Sequence, residues 1–201
     1  MTTLAIGDIH GTYTPLKKII EDNAGNSHDI VFTGDYIDRQ PEANGDINTV
    51  ELVRSLVEDP EQHGYKSCVA LTGNHERLML ESVVDNDFAC WLSNGGDSQS
   101  LQDLIPHFEW LAALPTHHIK GDYLFVHAGV KPNVPLEDQE EEDLVWIRTE
   151  YIKAKSHGLP YTIVSGHTIT QSLEVEYYDD RVYLDTGSFF TGKIGTALLE
   201  C

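Results

Sequence analysis

Positive charge is scarce in this chain. Thirteen lysines and arginines stand against 33 aspartates and glutamates, a formal net charge of −20 at pH 7. So acidic a surface opposes the many phosphate contacts by which proteins grip a polyanion, which excludes long nucleic acids as expected partners. An anionic substrate would need a local island of positive charge. Cysteine is also sparse: Cys68, Cys90 and Cys201 are odd in number and lack C-x-x-C spacing. That argues against a disulfide framework or a cysteine zinc site, and reduced thiols are expected. No run approaches the ~18 apolar residues of a membrane span, and the opening MTTLAIGDIHG has no basic n-region and too short an apolar stretch for a signal peptide. The expected setting is cytoplasmic, with no membrane partner. Fixed-period repeats and low-complexity segments are missing too, and the densest acidic run, EDQEEED at 137–143, reads as a solvated loop or helix face.

The chain has 201 residues, 40% of them apolar, enough for one globular domain over 1–201 with a real core. One pattern recurs along it: a β-rich apolar run, a small residue or Gly, then a polar residue. It occurs in LAIGDIHG, DIVFTGDYIDR, CVALTGNHER, YLFVHAG and TIVSGHT. Between these runs lie helix-like segments, TPLKKIIEDN, INTVELVRSLVED and HERLMLESVVD, so βαβ crossovers and a mostly parallel sheet are predicted for the first half. After residue 170, LEVEYYDDRVYLDTGSFF and TALLEC read as antiparallel strands, with a turn at Asp179 and Asp180.

In open α/β sheets ligands bind at the carboxyl ends of the strands, where each of the five runs places its polar residues. The inventory there is Asp8, His10, Asp35, Asp38, Arg39, Asn74, His75, His127 and His167. These are nitrogen and oxygen donors without a thiolate, a set that suits Mn, Fe, Zn or Mg. Asp8 and His10 are two apart, so in extended chain they point the same way. Singly, each piece has an ordinary reading. A Gly-Asp after a strand can be a turn, Asn74 can cap the following helix, Glu76 suits its first turn, and a lone histidine is unremarkable. Five strand ends in order, each carrying a ligand-type residue, are not explained by independent accidents.

GDIHG at 7–11, GDYIDR at 34–39, GNHE at 73–76, HAG at 127–129 and GH at 166–167 together resemble the PPP family of metallophosphatases in the calcineurin-like phosphoesterase superfamily. WLSNGGDSQSL, FVHAGVKP, LVWIRTEY, SGHTIT and VYLDTGSFFTGK extend the resemblance to its bacterial branch, from about residue 4 to about residue 199. The resemblance implies a four-layer α/β/β/α sandwich with mixed central sheets. It also implies two divalent ions, manganese foremost with Fe, Zn or Mg as alternatives: Asp8 and His10 on one, Asp35 bridging, and Asn74, His127 and His167 on the second. By the same resemblance His75 is the general acid oriented by Asp38, and Arg39 and Arg148 bind the substrate phosphate. The implied reaction is hydrolysis of a phosphate monoester by direct attack of water activated between the ions. Phosphoserine and phosphothreonine proteins lead the substrate list, with phosphotyrosine or small phosphoesters behind.

The chain departs from the family pattern in two places. Gln40 stands where Gly usually follows Arg39, with extra residues before the next helix, and Thr72 replaces the Arg usual before GNHE in protein phosphatases. The second change removes positive charge and weakens the inference to a phosphoprotein. The carboxylate at Asp38 nonetheless favours the phosphatase branch over the symmetrical diadenosine tetraphosphate hydrolases, which usually lack it. A dinucleotide hydrolase is the alternative, and a non-catalytic phosphate sensor a third reading.

Overall fold

A computed structural model of the chain describes residues 2–26 and 28–201. Its strands are β1 (Thr2–Ile6), β2 (Asp29–Phe32), β3 (Ser67–Ala70), β4 (His117–Lys120), β5 (Tyr123–Val126), β6 (Thr162–Ser165), β7 (Glu176–Tyr177), β8 (Arg181–Tyr183) and β9 (Thr196–Glu200). They form two mixed sheets. The first has the order β3-β2-β1-β9, parallel except for β9. The second has the order β4-β5-β6-β8-β7, with β5, β6 and β8 parallel and an antiparallel strand at each edge. The β7–β8 hairpin turns through Asp179 and Asp180, as the sequence predicts.

Alternation along the strands makes the layers. In β1, Leu4 and Ile6 point to one cluster and Ala5 to another; in β2, Ile30 and Phe32 oppose Val31 in the same way. The β1–β2 register, Leu4↔Ile30, Ala5↔Val31 and Ile6↔Phe32, keeps like faces together. Ala5 and Val31 meet Phe125, Val164 and Val182 from the second sheet, so the middle of the sandwich is an apolar interface between sheets. The outer face of the first sheet packs on α1 (Tyr13–Asn23), α2 (Gly45–Glu58) and α3 (Asn74–Asp85), then on α4 (Ala89–Ser93), α5 (Ser98–Leu104) and α6 (Phe108–Ala112). Leu124, Val126 and Ile163 on the outer face of the second sheet pack against Leu144 of α7 (Glu141–Trp146) and Tyr151 of α8 (Thr149–Lys153). The result is the four-layer α/β/β/α arrangement expected from the sequence.

The acidic run folds as a surface feature. Its second half opens α7, where acidic side chains suit the first turn, and Glu141 and Asp143 pair with Arg77 at 2.7 Å and Lys131 at 3.5 Å. Among the described residues no helix is long and apolar enough to cross a membrane.

Candidate active site

Each parallel strand delivers its polar residues at its carboxyl end, and these ends meet. The loop after β1 is fastened to the loop after β2, because the amides of Ile9 and His10 both donate to the Asp35 carbonyl at 2.9 and 3.0 Å. The Gly166 amide donates to the His127 carbonyl at 2.8 Å, joining the loops after β6 and β5. At Gly166 a β-carbon would lie 1.9 Å from Asp8 Oδ1, so only glycine lets the Asp8 carboxylate accept from the His167 amide, at 2.9 and 3.1 Å. Asp8, His10, Asp35, Asp38, Asn74, His75, His127 and His167 are all no more than 4% exposed. Arg39 is half-buried, and Arg148 is exposed at the rim. Five of these residues hold left-handed backbone: His10 at φ 46°, Asp35 at 54°, Asp38 at 69°, Arg39 at 61° and His167 at 64°. For non-glycine residues that costs of order 1–3 kcal/mol each, a strain characteristic of functional sites.

Among the described residues, donor atoms gather in two groups, each with its atoms within 4.8 Å of one another: His10, Asp35 and His75, and Asp35, His127 and His167. Asp35 belongs to both. The imidazole geometry tests whether a cation fits. His127 Nδ1 faces the Thr33 carbonyl at 2.8 Å, and since a carbonyl only accepts, that nitrogen carries the proton. Its Nε2 therefore turns toward the Asn74 amide oxygen at 2.9 Å and Asp35 Oδ1 at 3.4 Å. His167 repeats the arrangement, with Nε2 toward the Trp146 carbonyl at 3.3 Å and Nδ1 toward the same Asn74 oxygen at 2.8 Å. Lone pairs converge there on an amide oxygen and a carboxylate. Such a convergence is favoured by positive charge between the atoms, and the carbonyl partners are the outer supports expected of metal-ligating imidazoles.

Titration separates the imidazoles: burial opposes charge on His127, but the adjacent Asp35 carboxylate raises its pKa above the usual value. Burial pulls His10 down to about 4 and His167 down to about 2, keeping both in the neutral, metal-binding form. For Asp35 burial opposes ionisation, but the imidazoles of His127, His75 and His10 hold its carboxyl well below the usual range. Asp8 lies outside both donor groups. Burial, then the neighbouring carboxylates of Asp185 and Asp35, push its pKa well above normal, as expected where several carboxyls share one space. The donor set therefore fits divalent metal.

Beside these groups lies a proton-handling pair. His75 Nδ1 is 2.6 Å from Asp38 Oδ2. Burial pushes Asp38 up to about 8 and pulls His75 down to about 4. Between those values the pair is neutral overall, whether its proton is written on the carboxyl or on the imidazole. Glu76, read from the sequence as serving the helix start, does so and more. Its carboxylate accepts from the amides of Gly73 at 2.8 Å, Asp35 at 2.9 Å and Tyr36 at 2.8 Å, binding the start of α3 to the loop after β2.

The arginines flank the pair and the donor groups. Arg39 donates to His10 Nε2 at 3.1 Å and to the Asn94 carbonyl at 3.2 Å; Arg148 donates to the His167 carbonyl at 3.0 Å and to Thr168 Oγ1 at 3.2 Å. Gln40 is accommodated by bonding, its side chain accepting from the Asp46 amide at 3.1 Å and donating to Ser100 Oγ at 2.8 Å. Thr72 is buried, with its amide donating to the Pro115 carbonyl at 2.9 Å. Two residues were missed by sequence reasoning. Asp185 follows β8 and faces Asp8, and VYLDTG carries the same signature as the five recognised runs, an apolar run and then an acid. Trp91 donates its indole N–H to both Asp38 oxygens, and no local spacing announces that contact.

Residues 1–189 match the model of the family described as Calcineurin-like phosphoesterase. The chain is 26% identical over 215 residues to Serine/threonine-protein phosphatase 1 of Salmonella typhimurium, covering 97% of this chain and 90% of that protein. It is 31% identical over 140 residues to the symmetrical Bis(5'-nucleosyl)-tetraphosphatase of Janthinobacterium sp. (strain Marseille), covering 66% of this chain and 45% of that one. The chain thus spans less than half the length of its tetraphosphatase relatives. Among solved structures, a metallophosphoesterase from Sphaerobacter thermophilus shares the fold, with a TM-score of 0.61 at 19% identity over 100% of this chain and 88% of that one. With strand ends, donor groups and family model in agreement, the chain belongs to the calcineurin-like phosphoesterase family.

Proposed function

We propose that this metallophosphoesterase is a phosphomonoesterase of the serine/threonine protein phosphatase type, using two divalent ions, manganese foremost. Asp8 and His10 would hold one ion, Asp35 would bridge, and Asn74, His127 and His167 would hold the other. When bound, the ions supply positive charge for the phosphoryl oxygens and a water acidified toward neutral pH. Arg39 and Arg148 orient the phosphate, since a guanidinium can donate two parallel hydrogen bonds and stays charged in this acidic chain. His75, with Nδ1 committed to Asp38, presents its other ring nitrogen to the departing oxygen and gives it a proton.

The buried Asp38–His75 contact at 2.6 Å carries this reading. A serine or threonine alkoxide is a poor leaving group that needs a proton, whereas the phosphate leaving group of an anhydride departs without one. The near full-length match to a bacterial protein phosphatase supports the same choice. A second reading, symmetrical cleavage of a dinucleoside tetraphosphate, is favoured by the higher identity to the tetraphosphatase over part of the chain and by Thr72 in place of an arginine. Initial rates of manganese-loaded protein on a phosphothreonine peptide and on diadenosine tetraphosphate, each with and without chelator, separate the two. Faster chelator-sensitive release from the peptide is expected; faster cleavage of the dinucleotide overturns the assignment.

A further inference from the structure

The Asp38–His75 contact requires Asp38 to be held in place, and the structure shows by what. Trp91 is fully buried, and its indole N–H lies 2.9 Å from Asp38 Oδ1 and 3.0 Å from Oδ2. The ring is itself wedged. A β-carbon on Gly96 would lie 2.3 Å from it, so the turn that follows α4 folds flat on the indole. That turn also reaches the neighbouring arginine: the Arg39 amide donates to the Gly95 carbonyl at 3.0 Å and its Nε to the Asn94 carbonyl at 3.2 Å. One short segment, residues 91–96, thus touches both of the adjacent left-handed residues in the β2 loop, Asp38 and Arg39.

We propose that the segment 91–96 is the positioning element of the acid, with Trp91 orienting the Asp38 carboxylate toward His75 while the Asn94 and Gly95 carbonyls aim Arg39. An aspartate at a left-handed backbone position has no regular-structure partner to fix its side-chain torsion. One donor centred between its two oxygens leaves Oδ2 directed at the His75 ring. Trp91 is a positioning residue. It is too deeply buried to meet substrate, and it acts through Asp38 on the nitrogen opposite the one that gives up the proton. The inference rests on the reading of His75 as proton donor.

Leaving-group dependence tests it. Loss of a general acid slows expulsion of an alkoxide far more than expulsion of p-nitrophenolate, which is stable without a proton. Trp91→Phe keeps an aromatic ring but deletes the N–H, and Gly96→Ala keeps the N–H but displaces the ring. In both, the ratio of kcat on a phosphothreonine peptide to kcat on p-nitrophenyl phosphate is expected to fall about tenfold, in the direction shown more strongly by His75→Ala. An unchanged ratio in the Trp91 and Gly96 variants, alongside a collapsed ratio in His75→Ala, overturns the positioning role alone. An unchanged ratio in His75→Ala overturns the proton-donor reading instead. A structural readout stands apart from activity and from the folding of the Trp91 variant. The Trp91 indole proton resonance should lie downfield of those of Trp110 and Trp146 and move upfield in Asp38→Asn; an indole signal indifferent to that change refutes the contact.

Discussion

At the scale of single residues, the centre is built from groups whose alternatives have been removed. His127 and His167 each have one ring nitrogen tied to a backbone carbonyl, so the other must face the Asn74 amide oxygen, and Asp35 belongs to both donor groups. Asp35→Ala is therefore expected to lose both ions, since removing the shared carboxylate leaves two cations with nothing between them. Metal analysis after manganese loading and desalting checks this: a variant that retains both ions contradicts the bridging role. His75→Ala should keep its metal. These residues were legible in the sequence because each sits at the end of a β-rich run, mostly after a glycine. Asp185 also follows an apolar run, in VYLDTG, a stretch read as antiparallel strand and as part of the family resemblance without the acid being singled out. Trp91 was not legible, since its tie to Asp38 spans 53 positions and depends on how α4 returns over the β2 loop.

At the scale of elements, short parallel strands end in loops that are strained and then fastened. The left-handed residues of the β2 loop would not hold their conformation unaided, and Glu76 supplies the fastening by gathering three amides from two elements. Glu76→Ala leaves those buried donors unpaired, at about 1–3 kcal/mol for each. The expected result is a lower urea midpoint and weakened metal retention, although Glu76 is not a proposed ligand; an unchanged midpoint would show that water replaces the carboxylate without cost. The sequence announced α1, α2, α3 and the five site-bearing strands because their periodicities are clean. β4 was not foreseen. HHIK is short and polar, and it becomes a strand by pairing antiparallel with β5.

At the scale of the whole molecule, a chain with net charge −20 concentrates its few useful cations at one place. Arg39 and Arg148 flank the carboxylates of the candidate site, and the sandwich brings together loops from both sheets that lie far apart in sequence, 159 positions in the His167 amide bond to Asp8. The four-layer order could be inferred from the family motifs. What they could not give is how the two sheets join: Asp29 at the start of β2 meets Lys120 at the end of β4 at 2.5 Å, a tie between residues that no motif contains. The most direct measurement is phosphate release from a phosphothreonine peptide by chelator-stripped protein titrated with manganese. The expected result is no release without metal and a rise to a plateau at about two equivalents per chain, as for a two-ion centre. A plateau at one equivalent, or no release at any loading, would contradict it.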